Sequence, residues 1–139
     1  MMISLSFAEV KACIDDHTSR SMDHDVILGL ARGGLVPAVM LSHKLNIPLV
    51  VCQYSSKHGK GTTQEQDFLP DLQGKRILIV DDINDTGHTL REVFDYYIRG
   101  NSVEAYTLVK RVGTCFDQGT ASLIARTDDW YVFPWEVEA

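Results

Sequence analysis

The pattern of apolar and polar residues predicts strands that alternate with helices. Short runs rich in Ile, Val and Leu occur at 25–30, 47–54, 76–80 and 103–110. Such runs are typical of strands that are covered on both faces of a parallel sheet. Between them, apolar residues recur at helical spacing.

The helical spacing predicts three helices, over 7–21, 35–45 and 87–99, and Ser6 is a suitable N-cap for the first. Two units of strand, helix and strand follow from this order. Since a helical crossover joins parallel neighbours, we expect an α/β fold with a mostly parallel sheet.

Composition limits the functions that this chain can have. Its 139 residues suffice for one domain, which we expect to span 1–139. The net charge of −6 and the pI near 5.2 argue against a nucleic-acid surface. A phosphate ligand would therefore depend on local groups and a metal ion.

Cysteine use and the N-terminus bear on location. Cys13, Cys52 and Cys115 are an odd number without metal-ligand spacing, which favours a reducing, cytoplasmic environment over a disulfide framework or a zinc site. The first ten residues lack the pattern of a secretion signal, and no apolar run reaches membrane-spanning length. We expect neither export nor a membrane span.

The strand at 76–80 leads into the most informative segment of the chain. Asp81 and Asp82 follow it at the edge where open α/β sheets bind their ligands. Residues 85–89, Asp-Thr-Gly-His-Thr, then open a helix whose free N–H groups and threonine hydroxyls can bind an anion. An acid pair can also be a solvated turn, and Thr-Gly can be an ordinary helix cap.

Taken together, residues 76–90 resemble the phosphoribosyl pyrophosphate (PRPP) motif of the type I phosphoribosyltransferases. The resemblance implies a doubly wound sheet with a small hood made by the terminal segments. It implies that Asp81 and Asp82 bind the ribose hydroxyls directly or through Mg²⁺. It also implies a 5-phosphate loop, whose members are Thr86, Gly87, His88 and Thr89.

A second loop, 31–34, ends the first strand at the same edge of the sheet. Its glycines allow main-chain N–H groups to approach an anion, and Arg32 can donate forked hydrogen bonds to a phosphate. By itself Arg-Gly-Gly is more often a plain turn. Beside the acid pair it resembles the family's pyrophosphate loop, which implies binding by Arg32 and Gly33 and a cis peptide between Ala31 and Arg32.

Residues farther along resemble those with which the bacterial xanthine-guanine and hypoxanthine enzymes of the family bind a base. The resemblance implies that Asp85 exchanges a proton with the imidazole edge of a 6-oxopurine, and that Lys110 donates to its oxo group. It implies stacking by Trp130, a main-chain contact from Tyr131 and a water-mediated second metal contact from Glu136.

Each of these assignments has a structural alternative. Asp85 could cap the following helix, Lys110 could be solvated at a strand end, and the aromatic residues near Trp130 could belong to the core or the cover of an edge strand. Residues 55–74 form a long polar loop suited to a lid, although Ser55 and Ser56 match the family's lid only in part.

The predicted activity is therefore transfer of the phosphoribosyl group of PRPP to hypoxanthine, guanine or xanthine, with release of pyrophosphate, in purine salvage. One alternative is a regulatory module of the same fold that senses PRPP or a nucleotide without turnover. Another is a transferase for a different nitrogen base. Scattered apolar residues on the helices also make us expect a homo-oligomer, without specifying its interface.

Overall fold

Five parallel strands form the central sheet of the computed structural model, which describes residues 1–19, 22–56 and 67–136. Seven strands and three helices occur in these residues, in the order β1 (Met2–Ser4), α1 (Phe7–His17), β2 (Val26–Leu30), α2 (Leu35–Leu45), β3 (Leu49–Cys52), β4 (Arg76–Asn84), α3 (His88–Tyr97), β5 (Ser102–Arg111), β6 (Thr120–Ala125) and β7 (Trp130–Val132). The central sheet has the order β3-β2-β4-β5-β6.

The helices cover both faces of this sheet. Val10 and Ile14 of α1 pack with Leu41 of α2 in one apolar cluster. Leu90 and Val93 of α3 belong to a second cluster. The doubly wound α/β fold expected from the sequence is therefore confirmed.

The strand order reverses direction once. The chain passes from β2 outward to β3, and then returns to the other side of β2 to form β4. Such a reversal opens a crevice beyond the carboxyl ends of the two central strands, where α/β proteins bind ligands. Here that crevice lies between the residues that follow β2 and those that end β4.

The terminal segments form the small hood that was expected. β1 pairs in parallel with β7, in a two-stranded sheet separate from the central one. The amide of Leu5 extends this contact by donating to the carbonyl of Val132 at 2.9 Å. This pairing joins the start of the chain to the segment that carries Trp130 and Tyr131.

Several element boundaries differ from those that the sequence predicted. The first helix starts after Ser6, whose side chain forms a capping box with Glu9, but it ends at His17, before the predicted residue 21. The strand expected over 47–54 is confined to Leu49–Cys52. The strand β4 continues beyond residue 80 to Asn84, so that the acid pair lies within the strand and not after it.

The strand β6 was not predicted at all. Most of its residues are half-buried or exposed at the edge of the sheet, and they lack the continuous apolar run of the central strands. In the described residues, no helix combines the length and the apolar character needed to cross a membrane.

Candidate functional site: a cleft at the carboxyl edge of the sheet

Two adjacent carboxylates stand at the centre of the crevice. The amide of Asp82 donates to Asp81 Oδ1 at 2.8 Å, and the amide of Ile83 donates to Asp82 Oδ1 at 2.7 Å. Burial, and next the charge of Asp82, raise the pKa of Asp81 well above its usual range. The pKa of Asp82 is also raised, chiefly by burial. A cation or a hydrogen-bond donor at this pair would relieve that penalty.

The loop after β2 lies directly against the acid pair. A Cβ added to Gly33 would lie 2.6 Å from Cγ of Asp82, and one added to Gly34 would lie 2.5 Å from the carbonyl oxygen of Val80. The peptide bond between Ala31 and Arg32 is cis, as the resemblance implied. The structure therefore brings the predicted pyrophosphate loop, with exposed Arg32, next to the predicted ribose-binding acids.

The segment after β4 turns sharply into α3. Gly87 is the N-cap of α3 with φ of 92°, and no side chain caps the helix. A helix start of this kind is suited to binding an anion. A cavity of about 100 Å³ lies here, and its lining includes Asp81, Asp85, Thr86, Gly87 and Thr89. His88 is half-buried at the start of α3, and its amide is 3.5 Å from Thr86 Oγ1.

A buried polar network supports this turn from behind. Asn84, only 1% exposed, donates to the carbonyl of Phe116 at 2.9 Å and accepts a hydrogen bond of 2.6 Å from Thr114 Oγ1. The amide of Cys115 donates to the carbonyl of Thr86 at 2.8 Å. Sequence reasoning passed over Asn84 and Thr114, although a polar residue at the end of a buried strand generally needs a partner.

A second cavity, of about 120 Å³, lies between the sheet and the hood. It is lined by acidic, basic, apolar and aromatic residues: Asp82, Ile83, Asp85, Arg111, Trp130, Tyr131, Phe133 and Glu136. The Trp130 side chain is 61% exposed, whereas Phe133 is 3% exposed and belongs to the core. The alternative that these aromatic residues belong to the core is therefore correct for Phe133. The ring of Trp130, in contrast, is exposed beside the cavity.

Asp85 borders both cavities. Its Oδ1 accepts a hydrogen bond of 2.5 Å from Arg111 Nε, and no side chain caps α3. Asp85 is therefore not a helix cap. Arg111 was not singled out from the sequence, because a basic residue at the end of a strand is usually solvated and its partner lies in the bend that follows another strand.

The side chain of Lys110 contacts a different part of the protein from that of Arg111. Its Nζ donates to the carbonyls of Asp117 at 2.9 Å and Gly119 at 3.3 Å, in the loop that leads to β6. It is not among the residues that line either cavity. One cavity is thus lined by Asp85, Trp130, Tyr131 and Glu136. The Lys110 ammonium is instead hydrogen-bonded to carbonyls of an adjacent loop.

Comparison with known proteins agrees with this geometry. The model of the phosphoribosyl transferase domain matches residues 5–139. The chain belongs to the phosphoribosyltransferase family. The family to which the sequence was likened is thereby confirmed.

Individual relatives cover most of this phosphoribosyltransferase. A xanthine-guanine phosphoribosyltransferase of Chromohalobacter salexigens is 33% identical over 124 residues, which are 87% of this chain and 74% of the relative. One of Idiomarina loihiensis is 31% identical over 118 residues, covering 80% of this chain and 70% of the relative. The crystal structure of a purine phosphoribosyltransferase from Pyrococcus horikoshii is 34% identical, with a TM-score of 0.79 over 99% of this chain and 96% of that one.

The donor set of this phosphoribosyltransferase is compatible with Mg²⁺, provided that a substrate completes the coordination. No group of three or more Asp, Glu, His or Cys residues forms a metal cage in the described part of the chain. Carboxylate oxygens at Asp81 and Asp82 are suitable hard ligands, and Mg²⁺ is usually held by one or two carboxylates with phosphates and water. Glu136 Oε1 accepts from the amide of Phe133 at 2.8 Å, which fixes that carboxylate beside the second cavity.

The start of the long loop is attached to α3. Tyr54 donates to Glu92 Oε1 at 2.9 Å, and Ser56 Oγ donates to Glu92 Oε2 at 2.6 Å. The amide of Ser55 donates to Asp67 Oδ1 at 2.9 Å. Residues 57–66 of the predicted lid at 55–74 lie outside the described residues.

Proposed function

We propose that this phosphoribosyltransferase transfers the phosphoribosyl group of PRPP to a 6-oxopurine base. The observation that carries the proposal is the position of Asp85, which borders both the cavity beside the anion-binding turn and the cavity beside Trp130. A carboxylate at that boundary can reach a base that attacks a bound sugar phosphate. The relatives named above, whose names specify purines or xanthine and guanine, support the same substrate class.

In the proposed reaction, a ring nitrogen of the base forms a bond to the anomeric carbon of PRPP as the bond from that carbon to pyrophosphate breaks. The electron pair of the broken bond leaves with pyrophosphate. Asp85 accepts the proton from the imidazole edge of the base, which is the task of a general base. Mg²⁺ would be held by the carboxylates of Asp81 and Asp82 together with the substrate, and it would supply positive charge that stabilises the leaving pyrophosphate.

The chain's own groups would bind and orient the substrate. In the proposal, Arg32 and Gly33 bind the pyrophosphate, and Asp81 and Asp82 bind the ribose hydroxyls and the metal. The 5-phosphate occupies the turn at the start of α3. The members of that turn are Thr86, Gly87, His88 and Thr89. N–H groups at a helix start favour a phosphate because of their partial positive charge.

Base selection would depend on the hood and the end of β5. Trp130 would stack on the purine, Tyr131 would contact it through its main chain, and Glu136 would orient a second Mg²⁺ through water. Lys110 would donate to the 6-oxo group. Its Nζ donates to two loop carbonyls in this structure and lies 3.9 Å from Asp117 Oδ1, so that contact with the base would require the ammonium to exchange one of these partners. An ammonium can only donate, which favours an oxo group over an amino group.

The test compares variants of the acid and the donor with a matched control. We expect Asp85→Asn and Lys110→Ala, both verified as folded, to reduce turnover of every 6-oxopurine by roughly 100-fold or more and 10-fold, respectively. Asp95→Asn, an exposed acid on α3, should leave turnover unchanged. Unchanged turnover of all purines in the first two variants would overturn the assignment.

The sequence also predicts a cytoplasmic homo-oligomer, and both properties stay predictions. A PRPP or nucleotide sensor is the alternative outcome of the same experiments. It would bind PRPP without releasing pyrophosphate for any base. A transferase for another nitrogen base would turn over that base and none of the oxopurines.

A further inference from the structure

Arg111 connects the proposed catalytic acid to the hood. It ends β5, and its side chain is 15% exposed. Its Nε donates to Asp85 Oδ1 at 2.5 Å, and its Nη1 donates to the carbonyl of Arg126 at 2.7 Å. A second acceptor, the carbonyl of Thr127, lies 3.5 Å from Nη1. One guanidinium group therefore contacts the acid that follows β4 and the turn that precedes β7.

The turn that accepts these hydrogen bonds is itself well fixed. The amide of Arg126 donates to Asp129 Oδ2 at 3.0 Å, and the amide of Asp129 donates back to the carbonyl of Arg126 at 3.1 Å. The next residue, Trp130, donates its amide to the carbonyl of Met1 at 2.8 Å. Arg111 thus connects Asp85 to the turn at 126–129, which is fixed by its own hydrogen bonds. That turn continues directly into the segment that carries the exposed ring of Trp130.

The two partners differ in what restrains them. The Asp85 side chain is 47% exposed and stands on a bend outside regular structure, whereas Arg111 belongs to a strand. An exposed carboxylate on a bend can occupy several rotamers. A planar guanidinium restricts a carboxylate to a narrow range of orientations, which a lysine ammonium does not do. The hydrogen bond from Arg111 involves Oδ1 of Asp85, so that Oδ2 is the oxygen that can accept a proton from a substrate.

We propose that Arg111 is a positioning residue that fixes the Asp85 carboxylate for proton transfer by linking it to the turn at 126–129. The inference rests on the proposed function of Asp85. Arg111 itself does not contact the reacting atoms. The base gives its proton to Oδ2 of Asp85 while Oδ1 stays hydrogen-bonded to Arg111 Nε, and the resulting carboxylic acid afterwards releases the proton to solvent.

The experiment is a double-mutant cycle with Arg111→Gln and Asp85→Asn, read as kcat and KM with Mg²⁺, PRPP and the oxopurine that the wild type turns over fastest. We expect Arg111→Gln to lower kcat by roughly 10- to 100-fold, because small displacements of a reacting group cost that much. The KM for PRPP should stay within about twofold, because Arg111 does not line the cavity beside the anion-binding turn. In the Asp85→Asn background, the same change at Arg111 should have little further effect on kcat.

Three additional variants separate positioning from charge and from folding. Arg111→Lys keeps the charge but cannot bridge both partners, so that we expect most of the loss of kcat to remain. Arg111→Met keeps much of the side-chain length, and it replaces the Gln variant in the cycle if that variant does not fold. Arg99→Gln removes an exposed positive charge just after α3, away from this turn, and it should behave as the wild type.

The possible failures are distinguishable. Effects on kcat that multiply in the double variant, or full activity in Arg111→Lys, would overturn the positioning role while leaving the proposed function of Asp85 in place. Absence of turnover of every oxopurine by the wild type would overturn the proposed function, and the inference with it.

Discussion

Gly33 lies so close to the carboxylate of Asp82 that no side chain fits between them: an added Cβ would lie 2.6 Å from Cγ and nearer still to Oδ2. The loop after β2 and the end of β4 therefore form one surface, although Gly34 and Asp82 are 48 positions apart in the chain. Substrate groups that bind to one of these segments must lie next to the other.

Gly33→Ala should displace the Asp82 carboxylate and leave the fold intact. The clash involves a side chain, which can rotate away at modest cost. We expect the KM for PRPP to rise by roughly 10-fold with a small change in melting temperature. Gly34→Ala is the contrasting variant, because its Cβ would meet the carbonyl oxygens of Val80 and Leu30 at 2.5 and 2.8 Å. Gly34→Ala should therefore have a lower melting temperature than Gly33→Ala. Equal melting temperatures for the two variants would contradict this expectation.

Asp81→Asn should stabilise the ligand-free protein at neutral pH. The folded pKa of Asp81 is raised above 3.8, so that folding favours the protonated carboxyl group. Its stabilising contribution is complete below 3.8 and is lost as the pH rises through the raised folded value. We expect the free energy of unfolding of the wild type to decrease over that interval relative to Asp81→Asn. Each pKa unit corresponds to about 1.4 kcal/mol.

Chemical denaturation of wild type and Asp81→Asn, from pH 3 to 8 without metal, checks this expectation. The asparagine oxygen can still accept from the Asp82 amide, so that the local turn is kept. Addition of Mg²⁺ and PRPP should stabilise the wild type more than the variant. A variant that is less stable than the wild type at every pH would show that the carboxylate is not under the penalty we infer.

Thr114→Val should weaken the turn that the 5-phosphate is proposed to occupy. The change removes the donor to Asn84 Oδ1 and leaves that buried oxygen without it, at a cost of about 1–3 kcal/mol. Because the adjacent Cys115 amide holds the carbonyl of Thr86, we also expect a several-fold higher KM for PRPP. Thr114→Ser keeps the hydroxyl and should restore both properties. Wild-type stability in the valine variant would contradict a supporting role for the network.

Trp130→Ala should impair base binding without destabilising the protein. The ring is 61% exposed, so that we expect a stability change within about 0.5 kcal/mol. Loss of stacking should raise the KM for the base by roughly 10-fold, and Trp130→Phe should have an intermediate effect. The nearby Phe133→Ala is the opposite case, since its buried ring should cost about 3–5 kcal/mol. A large loss of stability in Trp130→Ala would assign that ring to the core.

The sequence predicted the central strands and the helices better than their ends and edges. Continuous apolar runs identify β2 and β4 because both faces of these strands are covered. The edge strand β6 has one partner and a mixed pattern, and hydrophobic periodicity does not separate it from a loop. The extension of β4 to Asn84 depends on pairing with β5 through Lys110, which is a property of the folded sheet.

The candidate site was predictable where its residues follow one another in the chain. The acid pair and the turn from Asp85 to Thr89 form such a motif, and most of its residues line one cavity, while Asp82 lines the second. Arg111 and Asn84 act through partners 26 and 30–32 residues away, and nothing local marks them. The direction of the Lys110 side chain likewise depends on the loop at 117–119, which sequence reasoning did not place.

The most direct measurement is pyrophosphate release from PRPP with hypoxanthine, guanine, xanthine, adenine and uracil offered separately, each with and without Mg²⁺. Metal-dependent release with one or more of the three oxopurines, and none with adenine or uracil, is the result we predict. Measurable binding of PRPP without release for any of the five bases would contradict the proposed transferase and favour a sensor. Release with adenine or uracil alone would contradict the assigned base.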